Sequence, residues 1–175
     1  MDEHELAKEI YERAIYARGL FIQRYSGIEF SLTHLLACAR HHPAYNALGD
    51  LPYKQESKLK RLEDILNLPG PIAPYASAMR PMVDQFISLE PERNILAHGY
   101  MARVKRLGPN VIGLRMYRHI DGEVHVGFLN LTVENLEDLA DRLIPAAKDF
   151  NEIVHAVTNK MGPQAAMHVY FSEDG

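Results

Sequence analysis

The sequence predicts a mainly helical fold with a three-stranded antiparallel β-meander inserted before its last long helix. Three observations carry this. Apolar residues recur three and four apart through the first forty positions, the period of an amphipathic helix. Between about residues 100 and 131 the chain becomes rich in Val, Ile, Tyr and Phe, cut by turn-forming residues. The helical period then returns from Val133 to Val157. With 175 residues, 47% hydrophobic and 24% charged, the chain has ordinary globular composition and length for one domain with its own core. That domain is expected over residues 1–162, followed by a tail at 163–175.

In chain order, Leu6, Ile10, Ala14, Ala17, Phe21, Tyr25, Ile28, Leu32, Leu35 and Ala39 mark one face of a helix, or of two in line, from about residue 3 to 41. His41-His42-Pro43 ends it, because a residue before proline avoids helical geometry. A loop follows from Pro43 to Lys54. Leu59, Leu62, Ile65 and Leu66 define a second helix, stopped by Pro69-Gly70-Pro71. A third helical region covers about Ala73 to Leu89, with Pro81 as a kink or restart. Pro91 suits the first turn of a short fourth helix holding Glu92 to His98, and Gly99 is the residue for a left-handed cap at its end. Strands are expected at Tyr100–Leu107, Val111–His119 and Glu123–Leu131. Gly108-Pro109-Asn110 and Asp121-Gly122 separate them, the second pair being a strong hairpin signal. Thr132 should cap the last helix, with Val133, Leu136, Leu139, Leu143, Ile144, Phe150, Ile153 and Val157 inward and Pro145 bending it. Met167 to Phe171 reads as a short strand in the tail.

Composition removes several function classes. Cys38 is the only cysteine, which excludes an intrachain disulfide and a cysteine zinc cluster. The acidic start Met1-Asp2-Glu3-His4-Glu5 lacks the positive charge of a signal peptide, and no apolar run reaches membrane-spanning length. A cytoplasmic protein with no membrane partner is expected. No H-E-x-x-H spacing, phosphate-cradling glycine loop or G-x-S-x-G elbow occurs, so neither metal nor cofactor is expected. His41 and His42 fall at a helix end. His125 alternates with Val124 and Val126 and should face solvent. Met79, Met82, Met101 and Met116 read as packing residues.

The net charge of −4 is unpromising for binding nucleic acid, but its distribution is uneven. From Arg93 to Ile120 there is no acid, while Arg93, Arg103, Lys105, Arg106, Arg115 and Arg118 supply six cations. Such local asymmetry steers an anionic ligand. The alternative is a solvated β-surface in which Arg and Lys keep strand edges soluble.

The densest polar cluster is Glu92-Arg93-Asn94-Ile95-Leu96-Ala97-His98-Gly99-Tyr100. Asn94 and His98, four apart, share a helical face on which the amide can orient the imidazole. Arg93 and His98, five apart, lie about 140° apart around an ideal helix. Arg with His is what metal-free cleavage of a phosphodiester requires: a proton shuttle and a planar fork for the phosphate. The plainer reading makes Arg93 a local salt-bridge partner and His98 a helix end. Glu29 lies on the side of the first helix that carries Tyr25, Leu32 and Leu36. Its carboxylate needs a partner if buried, for which Arg93 is suited, or else reaches solvent from a boundary position.

The segment Arg93-Asn94-Ile95-Leu96-Ala97-His98-Gly99-Tyr100 resembles the signature of the HEPN superfamily, an Arg, a polar residue that is often Asn, and a His four to six residues after the Arg. The likeness is close over these eight residues and extends to the flanking helices by pattern. It implies a HEPN-like helical bundle that dimerises, here with the meander as an insertion. It further implies a metal-independent endoribonuclease that leaves a 2′,3′-cyclic phosphate. Arg93, Asn94 and His98 then take the catalytic roles, and both protomers of a homodimer contribute to one composite site. Glu29 and Tyr100 would support the site, and Arg103, Lys105, Arg115 and Arg118 would bind the RNA substrate. His98-Gly99-Tyr100 matches the H-x-Y form of toxin members, which implies a toxin–antitoxin or phage-defence setting and a nucleotidyltransferase antitoxin that modifies the tyrosine. Some members have lost activity, so the second reading is a non-catalytic HEPN-like interaction or nucleotide-binding module. A basic dimer cleft with His98 open to it favours the enzyme, and His98 buried against its own protomer favours the module.

Overall fold

The computed structural model describes residues 2–162. The elements are α1 (Glu3–Arg40), α2 (Gln55–Leu66), α3 (Ala76–Ser88), α4 (Glu90–His98), β1 (Tyr100–Arg103), β2 (Val111–Ile120), β3 (Glu123–Thr132), α5 (Val133–Asp141) and α6 (Leu143–Met161). Short 3-10 turns occupy Asn46–Leu48, Ala73–Tyr75 and Lys105–Leu107. The fold is mainly α, with an antiparallel meander inserted between α4 and α5. The strand expected at Met167–Phe171 lies outside the described residues.

Asp2 opens α1, its Oδ1 accepting from the backbone N–H groups of His4 and Glu5 at 2.5 and 3.1 Å. Glu3 and Glu5 in the first turn and Arg40 in the last complement the helix dipole. The apolar stripe read from the sequence is the buried face, from Ile10 to Ala39. α3 runs unbroken through Pro81.

The described residues group into two compact units. One joins the chain up to Glu29 with Asp84–Asp149. Its core takes Ala14, Ala17, Phe21 and Ile28 from α1, Phe86 from the end of α3, Leu96 from α4, Met101, Ile112 and Leu114 from the sheet, and Leu136 from α5. Arg13 of α1 ties down α5, its Nε and Nη2 donating to the two carboxylate oxygens of Glu137 at 3.0 and 2.8 Å. The other unit joins Phe30–Val83 with the chain from Phe150 onward. Here Leu32, Leu35 and Leu36 of α1, Leu59, Leu62 and Ile65 of α2, Met79 and Val83 of α3, and Phe150 and Val157 of α6 are buried.

The sheet has the order β1-β2-β3. Register sets Tyr100 opposite Arg115 and Arg115 opposite Phe128, then Tyr117 opposite Val126 and His119 opposite Val124. Paired residues share a face, so these side chains lie on one side, with Met101, Ile112, Leu114, Leu129 and Leu131 on the other. Asp121 and Gly122, both at positive φ (52° and 83°), form the expected tight hairpin turn.

Five details differ from the sequence expectation. The last helix is two: α5 ends at Asp141 and α6 begins at Leu143. A continuous helix would need an N–H at Pro145 to meet the Asp141 carbonyl, whereas in the first turn of α6 none is needed. Ile144 is consequently exposed, not inward. β1 stops at Arg103 and gives way to the 3-10 turn at Lys105–Leu107. Gly99 is extended (φ −75°, ψ 142°), not left-handed. Glycine is required there because a Cβ would run into the Ile95 carbonyl oxygen. Finally, the parity of β3 is the reverse of that expected: Val124 and Val126 lie exposed on the open face, while His125, paired with Arg118 on the inner side, is exposed because it stands near the hairpin tip.

Candidate functional site

α4 is short and is held from both ends. Pro91 sits in its first turn, and Ile95 and Leu96 anchor it in the core. At its C-terminal end Arg18 of α1 donates from Nε to the Leu96 carbonyl at 2.5 Å and from Nη2 to the Ala97 carbonyl at 3.3 Å. Those carbonyls have no partner within the helix, so the guanidinium does the work of a C-cap. The Gly99 N–H closes the last turn onto the Ile95 carbonyl at 2.7 Å.

Arg93 points to α1. Its Nη2 donates to Glu29 Oε1 at 2.5 Å and its Nη1 to Asn94 Oδ1 at 3.0 Å, with the guanidinium carbon 5.7 Å from the centre of the Tyr25 ring. Tyr25 Oη lies 2.7 Å from Glu90 Oε2 and 3.1 Å from the Phe86 carbonyl, and donates its proton between them. Burial, reinforced by the Glu90 carboxylate, pushes the Tyr25 phenol well above its ordinary value. Glu29, Arg93, Asn94, Tyr25 and Glu90 thus form one half-buried polar cluster between α1 and α4.

Of the three residues expected to act together, Arg93 and Asn94 meet each other and His98 meets neither. The contact expected between Asn94 and the His98 ring is not made: the amide oxygen is taken by Arg93, the stronger, charged donor. His98 is exposed at the end of α4, and among the described residues its ring has no hydrogen bond. Glu29 takes the partner foreseen for it. Tyr100 begins β1 with its side chain exposed.

The four cations expected to bind RNA separate by strand parity. Arg115 is exposed on the open face of the sheet, its guanidinium carbon 5.8 Å from the centre of the Phe128 ring. Arg103 and Arg118 lie on the inner side and are only half-exposed, Arg103 Nη2 donating to the Pro109 carbonyl at 3.0 Å. Lys105 is exposed, 3.9 Å from Glu3. Arg18, which sequence reasoning missed, has no motif to reveal it.

Two hollows border this unit's helices. A cleft of about 380 Å³ is lined by Ile15, Arg18, Ile22, Leu96, Ala97 and Met101, beside the His98 end of α4. A larger one of about 640 Å³ is lined by Glu92, Asp138, Asp141 and Arg142 with Leu129, Leu131, Asn135 and Leu139. Its three carboxylates oppose a phosphate. Among the described residues no group of three or more His, Cys, Asp or Glu is arranged to hold a metal, and no helix is long and apolar enough to cross a membrane. Compared with protein-family models, curated proteins and solved structures, the chain gives no significant match.

Proposed function

We propose that this chain is a metal-independent endoribonuclease of the HEPN type, acting as a homodimer. The observation that carries the reading is the exposure of the His98 imidazole at the end of α4, one turn beyond an arginine whose direction Glu29 fixes. A histidine that merely closed a helix would gain by packing on its own chain. This one is open to a substrate or to a second copy.

In the reaction, an imidazole takes the proton from a ribose 2′-hydroxyl, whose oxygen attacks the adjacent phosphorus. The 5′-oxygen leaves and receives a proton, giving a 2′,3′-cyclic phosphate and a 5′-hydroxyl. Arg93 stabilises the charge gathered on the phosphorane-like transition state. Two-fold symmetry supplies a second histidine, so that one acts as base and the other as acid. Such a nuclease works where RNA is, in the cytoplasm, and its activity calls for restraint by an antitoxin, as in a toxin–antitoxin or phage-defence system.

One observation favours the non-catalytic module. Both Nη atoms of Arg93 already have partners in Glu29 and Asn94, which suits a structural pair. Incubating purified protein with RNA in EDTA, beside His98→Ala, decides between the two. Cleavage that persists in the chelator and disappears in the variant is expected. Equal cleavage by both proteins, or none by either, leaves the module reading.

A further inference from the structure

Tyr100, Tyr117 and Phe128 share the open face of the sheet and are 74%, 74% and 62% exposed, with Val124 and Val126 exposed beside them. A soluble chain rarely leaves so much contiguous apolar and aromatic surface without a use. No acidic residue lies on this face, and Arg115 stands in its middle row between Tyr100 and Phe128. Tyr100 and Phe128 sit two strands apart, about 10 Å, and Tyr117 is displaced two residues along β2 from Arg115, about 7 Å. Rings at such separations, interleaved with a cation, are how flat sheet surfaces stack successive unpaired bases while holding the backbone. Tyr100 is two residues from His98, so the face begins where the proposed catalytic end of α4 stops.

We infer that this face is a stacking platform for single-stranded RNA, with Tyr117 and Phe128 each carrying a base and Arg115 meeting a phosphate. The inference rests on the RNA-cleaving reading for its ligand class and deepens it by naming the strand state of the substrate. Duplex RNA keeps its bases paired and stacked, leaving no base face for these rings. A second copy is the less suited occupant. In a two-fold contact centred here Arg115 would face Arg115, and the face has no carboxylate to offset the repulsion.

The test is fluorescence anisotropy of a labelled 2′-O-methyl oligonucleotide, which lacks the nucleophile and is bound without cleavage, as a single strand and annealed to its complement. Wild type should prefer the single strand. Tyr117→Ala with Phe128→Ala should weaken its binding about 30-fold or more. Tyr117→Phe with Phe128→Tyr, which keeps both rings, should bind as wild type does. The residues are exposed, so circular dichroism should show both double variants folded. Unchanged affinity in the alanine variant, equal affinity for duplex, or no binding by wild type overturns the platform. So does an alanine variant that loses the dimer in sedimentation velocity, which would make the face a contact between copies. The nuclease reading is judged apart, on unmodified RNA. Ring-dependent binding without cleavage upholds the platform and removes the nuclease, whereas cleavage with ring-independent binding does the reverse.

Discussion

Arg93 on α4 and Glu29 on α1 are joined at 2.5 Å, with side chains only 23% and 21% exposed. A pair this sheltered does two things. It anchors a nine-residue helix to a long one, and it holds the guanidinium in one direction. Removing Glu29 leaves a half-buried cation without its carboxylate, at a cost of about 2 kcal/mol. Glu29→Gln should therefore lower the unfolding midpoint and also reduce cleavage. Chemical denaturation and initial rates, measured on one preparation, check both. A variant that keeps full stability and full activity would show that the pair does neither.

Arg18 is the counterpart at the other end of α4. Arg18→Ala exposes the carbonyls of Leu96 and Ala97 to an unfilled position, with an expected loss of about 1–2 kcal/mol. Amide hydrogen exchange should quicken at residues 97–100 more than in α2. Uniform quickening throughout the chain would mean that Arg18 contributes only general stability.

The contrast between these residues shows what the sequence makes legible. The stripe from Ile10 to Ala39, the Asp121-Gly122 turn and the Thr132 cap, which accepts from the Asn135 N–H at 3.1 Å, depend on neighbours in sequence and were readable there. Glu29 was readable because a carboxylate on the buried side of a helix demands a partner. Arg18 was not: its acceptors are backbone carbonyls 78 and 79 residues away, which any sequence supplies. The direction of Asn94 also escaped, since helical spacing says which groups can meet and not which donor wins. Strand alternation turned His125 to solvent by its polarity, but the register puts it on the inner side and Val124 and Val126 on the open face, and which face of a meander the helices cover is a tertiary fact.

Tyr25 gives a pH dependence with a definite sign. Its phenol is raised above the ordinary value of 10.0, first by burial and then by its hydrogen bond to Glu90. The folded chain therefore holds this proton after the unfolded chain has lost it. The stabilisation is complete below that ordinary value and is lost as pH rises from there toward the folded one. Buried Tyr45 contributes with the same sign. Between about pH 9 and 11 wild-type stability should fall with pH, and Tyr25→Phe should fall less steeply, by up to about 1.4 kcal/mol per pH unit. Parallel slopes would mean that the phenol ionises equally in both states. At neutral pH the same variant should cost about 1 kcal/mol for the lost hydrogen bond.

The catalytic reading makes its sharpest demand on Arg93 and the ribose. If the guanidinium meets the phosphate as charge develops, its planar fork matters as well as its charge. Arg93→Lys keeps a cation but offers a point charge on a flexible stem, so it should be nearly as damaging as Arg93→Ala. Both should act on turnover more than on substrate binding, because contacts that strengthen only in the transition state lower kcat and kcat/KM together. The pair with Glu29 complicates stability, so each variant needs its melting curve recorded beside its rate. The nucleophile belongs to the substrate. An oligonucleotide carrying 2′-deoxyribose at the scissile position should therefore resist cleavage while binding normally, and the unmodified strand should end in a 2′,3′-cyclic phosphate. Cleavage of the deoxy-substituted strand, or an Arg93→Lys protein that turns over as fast as wild type, would exclude this chemistry.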